Sequence, residues 1–269
     1  MSTKTRINRT AGSPFSPFWI GVSVVTFLYL AFIVGLIAAT ATYSEPGDLL
    51  KSLGKREIQY SIMLSLLTCS VTALLSLLVA VPAGYLLSRA RFPGKAFTEA
   101  ALDIPIVLPP MVIGLCLLIF FQTRVGGWIE KVIPFTYTVY GVVLAQLMIG
   151  AAFAIRTMRG TFENLSSRPE DVAMTLGCSR GQAVFLVTLP AAWRGMLAAM
   201  SVAWARSMGE FGPVLVFAGA TRLKTEVLPT TVWLELSVGN LKEAVAVSLL
   251  MVLFAMIVLI AVRRMGEHF

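Results

Sequence analysis

Two ionisable residues set in an apolar stretch are the first candidates for chemistry: Arg206 and Glu210 lie four positions apart between Met196 and Ala218. Four residues are about one helical turn, so both side chains fall on one face. Charges at that depth are costly unless compensated. An ion pair is one reading, and direct contact of the arginine with a passing anion is another. A gate or a subunit contact completes the set. Glu170 and Asp171 form a second carboxylate pair, just behind Pro169, where a helix can begin and its dipole favours negative charge. Other chemistries lack their residues. Cys69, Cys116 and Cys178 show no C-x-x-C or Cys/His spacing, the single histidine is His268, and no G-x-x-x-x-G-K-[ST] string occurs. The chain is therefore expected to be no enzyme and to hold no metal or cofactor itself.

The elements that must carry these residues follow from composition. Of 269 residues, 57% are apolar and 13% are charged, against roughly 25% charge in ordinary globular domains. A bilayer core about 30 Å thick needs about 20 apolar residues of helix. Runs of that kind lie at Phe18 to Tyr43, Ile58 to Leu87, Ala100 to Phe121, Tyr137 to Ile155, Met196 to Ala218 and Ala244 to Val262. The expected fold is all-α: one polytopic transmembrane domain over 1–269, with about six transmembrane helices. A cleaved signal peptide is the alternative for the first run, which is well beyond the usual 7 to 15 residues or so of a signal core. The net charge of +8 sits in clusters between apolar runs. That pattern points to membrane topology and a lipid bilayer partner, with no nucleic acid. Alternate connections carry thirteen and eight Lys and Arg residues. The richer set holds both termini and the loop after Ile155, which are expected to be cytoplasmic.

That loop is long, and about 160–192 should hold two helices. Ser167 or Arg168 caps the first and Gly177 ends it. Ser179 and Gln182 have the spacing of a capping box for the second, which Pro190 closes. Taken alone, such a pair could simply lie on lipid. Within the runs, Pro105, Pro109 and Pro110 fall in the third, and Gly209, Gly212 and Pro213 in the fifth. Proline frees backbone groups that lipid cannot satisfy, so such breaks suit protein-lined or water-lined surroundings. The third and fifth spans are expected to line a translocation path, with helices restarting near Pro110 and Pro213. The alternative is that these are kinks.

The string from Glu170 through Asp171, Val172, Ala173 and Gly177, then nine residues to Val187, Leu189 and Pro190, resembles the EAA signature of ABC-importer permeases. Asp171 stands for that family's glutamate, Val172 and Ala173 for its alanines and Val187 for its isoleucine. Asp103 to Gly114, with Pro105, Pro109 and Pro110, is similar to the LP-x-x-LPP-x-V-x-G stretch of molybdate, tungstate and sulfate permeases. Gly209, Glu210, Phe211 and Gly212 through Gly219 resemble the GEFG…FAG segment of molybdate-type permeases. This chain departs from them at Ala220 to Leu223.

The resemblance implies a type I importer permease in a bacterial or archaeal cell membrane, carrying molybdate or tungstate ahead of sulfate. Its coupling helix, with Glu170, Asp171, Ala173, Gly177, Leu189 and Pro190, would seat in a cytosolic ABC ATPase present in two copies, which binds the ATP and Mg. A second copy of the chain and an external oxyanion-binding protein complete the implied assembly. The translocation path would include Pro105, Pro109, Pro110, Gly114, Arg206, Glu210, Phe211, Gly212 and Pro213. An ion-coupled secondary transporter or channel for a small anion is the competing reading, and it would be expected to show inverted repeats or buried coupling carboxylates.

Overall fold

The computed structural model describes residues 17–43 and 46–267; Lys4, Arg6, Arg9 and His268 lie outside them. Among the described residues every regular element is helical. Two units divide the chain at residues 45 and 46. The first contains α1 (Pro17–Thr42), 26 residues with none buried. Proline at its start needs no amide donor there.

The second unit opens with α2 (Pro46–Gly54) and α3 (Arg56–Arg89), followed by α4 (Lys95–Val107), α5 (Pro110–Gln122), α6 (Arg124–Val132) and α7 (Val139–Asn164). Next come α8 (Arg168–Thr175), α9 (Arg180–Ala183), a π-helical turn (Val184–Thr188), α10 (Leu189–Ala191) and α11 (Trp193–Met208). The chain finishes with α12 (Gly212–Phe217), α13 (Leu228–Ser237) and α14 (Leu241–Glu267). Among the described residues four helices, α1, α3, α7 and Leu241–Ile260 of α14, are long and apolar enough to cross a membrane. Two bent pairs raise the count to six if each is one span: α4 with α5 at 110°, and Arg180–Ala191 with α11 at 72°.

The third and fifth expected runs are thus not continuous helices. Leu108 is extended, the conformation favoured before a proline, and Pro109 caps α5 with Pro110 in its first turn. Pro105 stays inside α4 and Pro82 inside α3, so they do not end their helices. The fifth run ends its first helix at Met208 and restarts at Gly212. Pro190 likewise fails to close the second loop helix: it sits in the first turn of α10, and the chain bends next to α11.

The core is built on α3, α7 and α11. The buried side of α3 carries Ser61, Ser65, Thr68, Thr72 and Ser76, at steps of four and three residues. Small residues of this kind let helices approach closely where no water drives association. Thr72 Oγ1 donates to Gln146 Oε1 on α7 at 3.2 Å, and Gln146 Nε2 donates to the Ser207 carbonyl of α11 at 3.2 Å. One buried amide thus ties the three helices that hold both candidate sites.

Candidate functional site

The first site is the loop carrying α8. Gly177 ends this helix in the left-handed region at φ 97°, which costs a glycine little. The Cys178 amide donates to the Ala173 carbonyl at 3.1 Å, closing the helix as a Schellman turn does. The chain then enters α9 through the expected capping box: the Gln182 amide donates to Ser179 Oγ at 3.4 Å, and the Ser179 amide to Gln182 Oε1 at 2.9 Å. Ser167 occupies the cap position of α8 without a side-chain cap bond.

Glu170 and Asp171, read together in the sequence, face opposite ways. Asp171 is exposed, whereas Glu170 is 6% exposed. The Tyr85 hydroxyl of α3 donates to Glu170 Oε1 at 2.5 Å, and the Thr188 hydroxyl of the π turn donates to Oε2 at 3.0 Å. Tyr85 stacks edge-on against Phe162 of α7 at 5.6 Å, and Arg89 donates to the Leu165 carbonyl at 2.8 Å. One carboxylate therefore anchors α8 to the ends of two long helices and to the turn leading into α11. Ala173 and Leu189 are half-buried, and Pro190 is exposed. The outward face of α8 carries Asp171 and Val172 (56% exposed), and Leu176 (80% exposed) follows as its C-cap residue. Two large apolar groups four residues apart on a rigidly held helix suit a partner's cleft. Tyr85, Thr188 and Leu176 were not singled out from the sequence.

The second site lies where the two broken helices meet. A cavity of about 390 Å³ is bounded by Pro109, Pro110 and Met111 on one side and by Arg206 and Gly209 to Gly212 on the other. The structure thus brings together most of the path residues expected from the third and fifth runs. Gly114 and Pro213 lie behind them at the contact of α5 with α12, and Pro105 sits in α4 away from the cavity lining. A Cβ on Gly114 would stand 2.8 Å from the Pro213 Cα and 2.9 Å from its carbonyl oxygen. Gly114→Val is expected to force α5 off α12 at a cost of about 1–3 kcal/mol. That cost lowers the thermal midpoint by roughly 3–10 °C, read by a melting curve in detergent. An unchanged midpoint would show that the two helices do not need this contact.

Arg206 donates through Nη2 to Glu210 Oε1 at 2.6 Å, and its Cζ lies 5.0 Å from the centre of the Phe153 ring of α7. The two partners are unequally buried: the arginine side chain is 40% exposed, the glutamate 2%. Arg206 Nε is shielded and has no hydrogen-bond partner among the described residues.

At the end of α3 remote from Tyr85, Arg222 pairs with Glu57 of α3 and with Glu235 of α13, the latter at 2.8 Å. Glu226, 1% exposed, lies beside them with neither carboxyl oxygen hydrogen-bonded among the described residues. Burial pushes its carboxyl above the ordinary glutamate value; the neighbouring Thr231 side chain and then Arg222 oppose the rise, and Glu57 and Glu235 add to it. A raised native pKa favours folding below the unfolded value, and that stability is lost as pH rises through the native one. The wild-type melting midpoint should therefore fall relative to that of Glu226→Gln as pH increases from about 4 to 8, upward from the free glutamate value of about 4.3. Parallel curves would mean that Glu226 titrates alike in the folded and unfolded chain.

Bent membrane helices around a largely apolar cavity that holds one ion pair, together with a short anchored helix, are an arrangement suited to a multi-pass permease. The model of the family described as binding-protein-dependent transport system inner membrane component matches residues 80–269, and the chain belongs to this family. It is 35% identical over 195 residues to the molybdate/tungstate transport system permease protein WtpB of Thermococcus kodakarensis, covering 72% of this chain and 74% of that one. It is 30% identical over 208 residues to the sulfate transport system permease protein CysT of Escherichia coli, covering 76% and 75%. In fold it is similar to a chain of a bacterial alginate ABC transporter crystallised with a pentasaccharide-bound periplasmic protein. That match has a TM-score of 0.72 at 12% identity, over 93% of this chain and 94% of that one.

Proposed function

We propose that this chain is the membrane subunit of an ATP-driven importer that passes a tetrahedral oxyanion, molybdate or tungstate before sulfate, delivered by an external binding protein. The observation that carries this reading is α8: a short helix fixed from within through Glu170 and presenting Val172 and Leu176 outward, in a chain of this family. The relatives named for molybdate and tungstate, together with the paired prolines Pro109 and Pro110, favour those anions. The excess of Lys and Arg in the connections on the α8 side supports a cytoplasmic location for that side and for both termini.

The working unit is a homodimer with two ATPase chains, which bind ATP and Mg; this chain binds no cofactor. Closure of the ATPase dimer draws the two α8 helices together. Glu170 passes that movement to α3 through Tyr85 and to α11 through Thr188 and the π turn. The breaks at Pro109–Pro110 and at Gly209–Pro213 let the flanking helices tilt, so the cavity beside Arg206 opens to alternate sides. Pro105 and Gly114 shape the same path from α4 and α5, with Phe211 at its wall.

Mass spectrometry of what co-purifies with the chain in mild detergent tests this reading. A P-loop ATPase accompanying the wild type, and lost from the Glu170, Asp171 and Gly177 triple substitution, is the expected result. Its absence from the wild type would remove the importer and favour ion-driven transport.

A further inference from the structure

We propose that the cavity beside Arg206 is a resting site for a tetrahedral dianion, with Arg206 as its binding residue and Glu210 as the group that holds the arginine and limits its grip. This rests on the reading of the chain as an oxyanion permease and adds a defined contact to it. A purely structural ion pair inside a membrane protein is expected to bury both partners, since either charge alone is expensive there. Here the glutamate is buried and the cation is not: 2% against 40% exposed. The pair therefore shows its positive end to the cavity while the compensating charge lies behind it.

The guanidinium also has donors to spare. It carries five N–H groups in a planar fork matched to oxyanions. One bond goes to Glu210 through Nη2; Nε is shielded from the cavity, so the donors open to an anion are those of the outer nitrogens, on a side chain 40% exposed. The Phe153 ring beneath Cζ fixes the plane of the fork from the α7 side without using a donor. The cavity of about 390 Å³ is many times the ~15 Å³ that admits one water, so an anion can enter with part of its hydration shell. The opposite wall is the first turn of α5, a 13-residue helix whose positive dipole end adds weakly to the attraction. Glu210 keeps the net charge of the pair near zero. A dianion is thus held by one shared arginine and released readily, as a transport path requires.

The test uses a neutral maleimide and the substitution Met111→Cys, because Met111 lines the cavity and is 50% exposed. Cys116 and Cys178 are replaced by alanine; Cys69, fully buried, is retained and reacts only if the chain unfolds. Millimolar sodium tungstate, against sodium chloride at equal ionic strength, is expected to slow labelling of the thiol introduced by Met111→Cys. With Arg206→Gln added, tungstate protection should weaken by roughly tenfold or more in concentration. Arg206→Lys, which keeps the charge and loses the fork, should fall between. Equal protection with Arg206→Gln, while Cys69 stays unlabelled, would overturn the role of Arg206. No protection in the Arg206 chain, while the intact complex still imports tungstate, would overturn the site and leave the importer reading standing. Arginine-dependent protection without any ATP-driven uptake would sustain the site and remove the importer.

Discussion

A chain carrying Val172→Asp and Leu176→Asp together is expected to lose its ATPase on purification and to import no oxyanion, while remaining folded in the membrane. Both side chains point away from the body of the protein, at 56% and 80% exposure, so the substitutions create no cavity and strand no buried polar group. The expected damage falls on association. Central apolar anchors of an interface cost about 2 kcal/mol or more each when removed. Two of them correspond to a loss of several hundredfold or more in affinity, at about 1.4 kcal/mol per tenfold. The measurement is ATPase retained per permease after washing in mild detergent, with melting behaviour as the control. Retention at the wild-type level would mean that α8 docks through another face.

Glu170→Ala should give the opposite dissociation of effects. The outward face of α8 is untouched, so the ATPase stays bound, while uptake per ATP hydrolysed falls sharply. Removing the carboxylate strands the Tyr85 and Thr188 hydroxyls, which donate to it at 2.5 and 3.0 Å. The buried Thr188 donor left unpaired costs about 1–3 kcal/mol, the partly buried Tyr85 hydroxyl less, and the strut between α8, α3 and the π turn is gone. Glu170→Gln keeps an acceptor and should recover part of the coupling. Hydrolysis and uptake measured on one reconstituted sample check this. A parallel fall in both, with the ATPase lost, would place Glu170 in the docking surface instead.

Much of this architecture was readable from residue types alone. The apolar runs were long enough to declare themselves, and the breaks at Pro109–Pro110 and Gly209–Pro213 followed from what proline and glycine do to a helix. The capping box at Ser179 and Gln182 was visible because both partners lie within one turn. Pro190 misled, since a proline at the start of α10 is as acceptable as one that ends a helix. The inward turn of Glu170 was not legible: its partner Tyr85 is 85 positions away, and no periodicity encodes that meeting. Glu226 was equally hidden, because its surroundings come from α3, α13 and its own loop. The pairing of Arg206 with Glu210 was legible, being local; the unequal burial of the two was not, because it depends on side chains distant in sequence.

The most direct test of the central claim is uptake of radiolabelled molybdate into liposomes containing this chain with the ATPase that co-purifies with it, supplied through the external binding protein. The expected result is accumulation that requires ATP and the binding protein, ignores ion gradients, and disappears with Val172→Asp and Leu176→Asp. Accumulation that follows an ion gradient without ATP, and survives those substitutions, would contradict it.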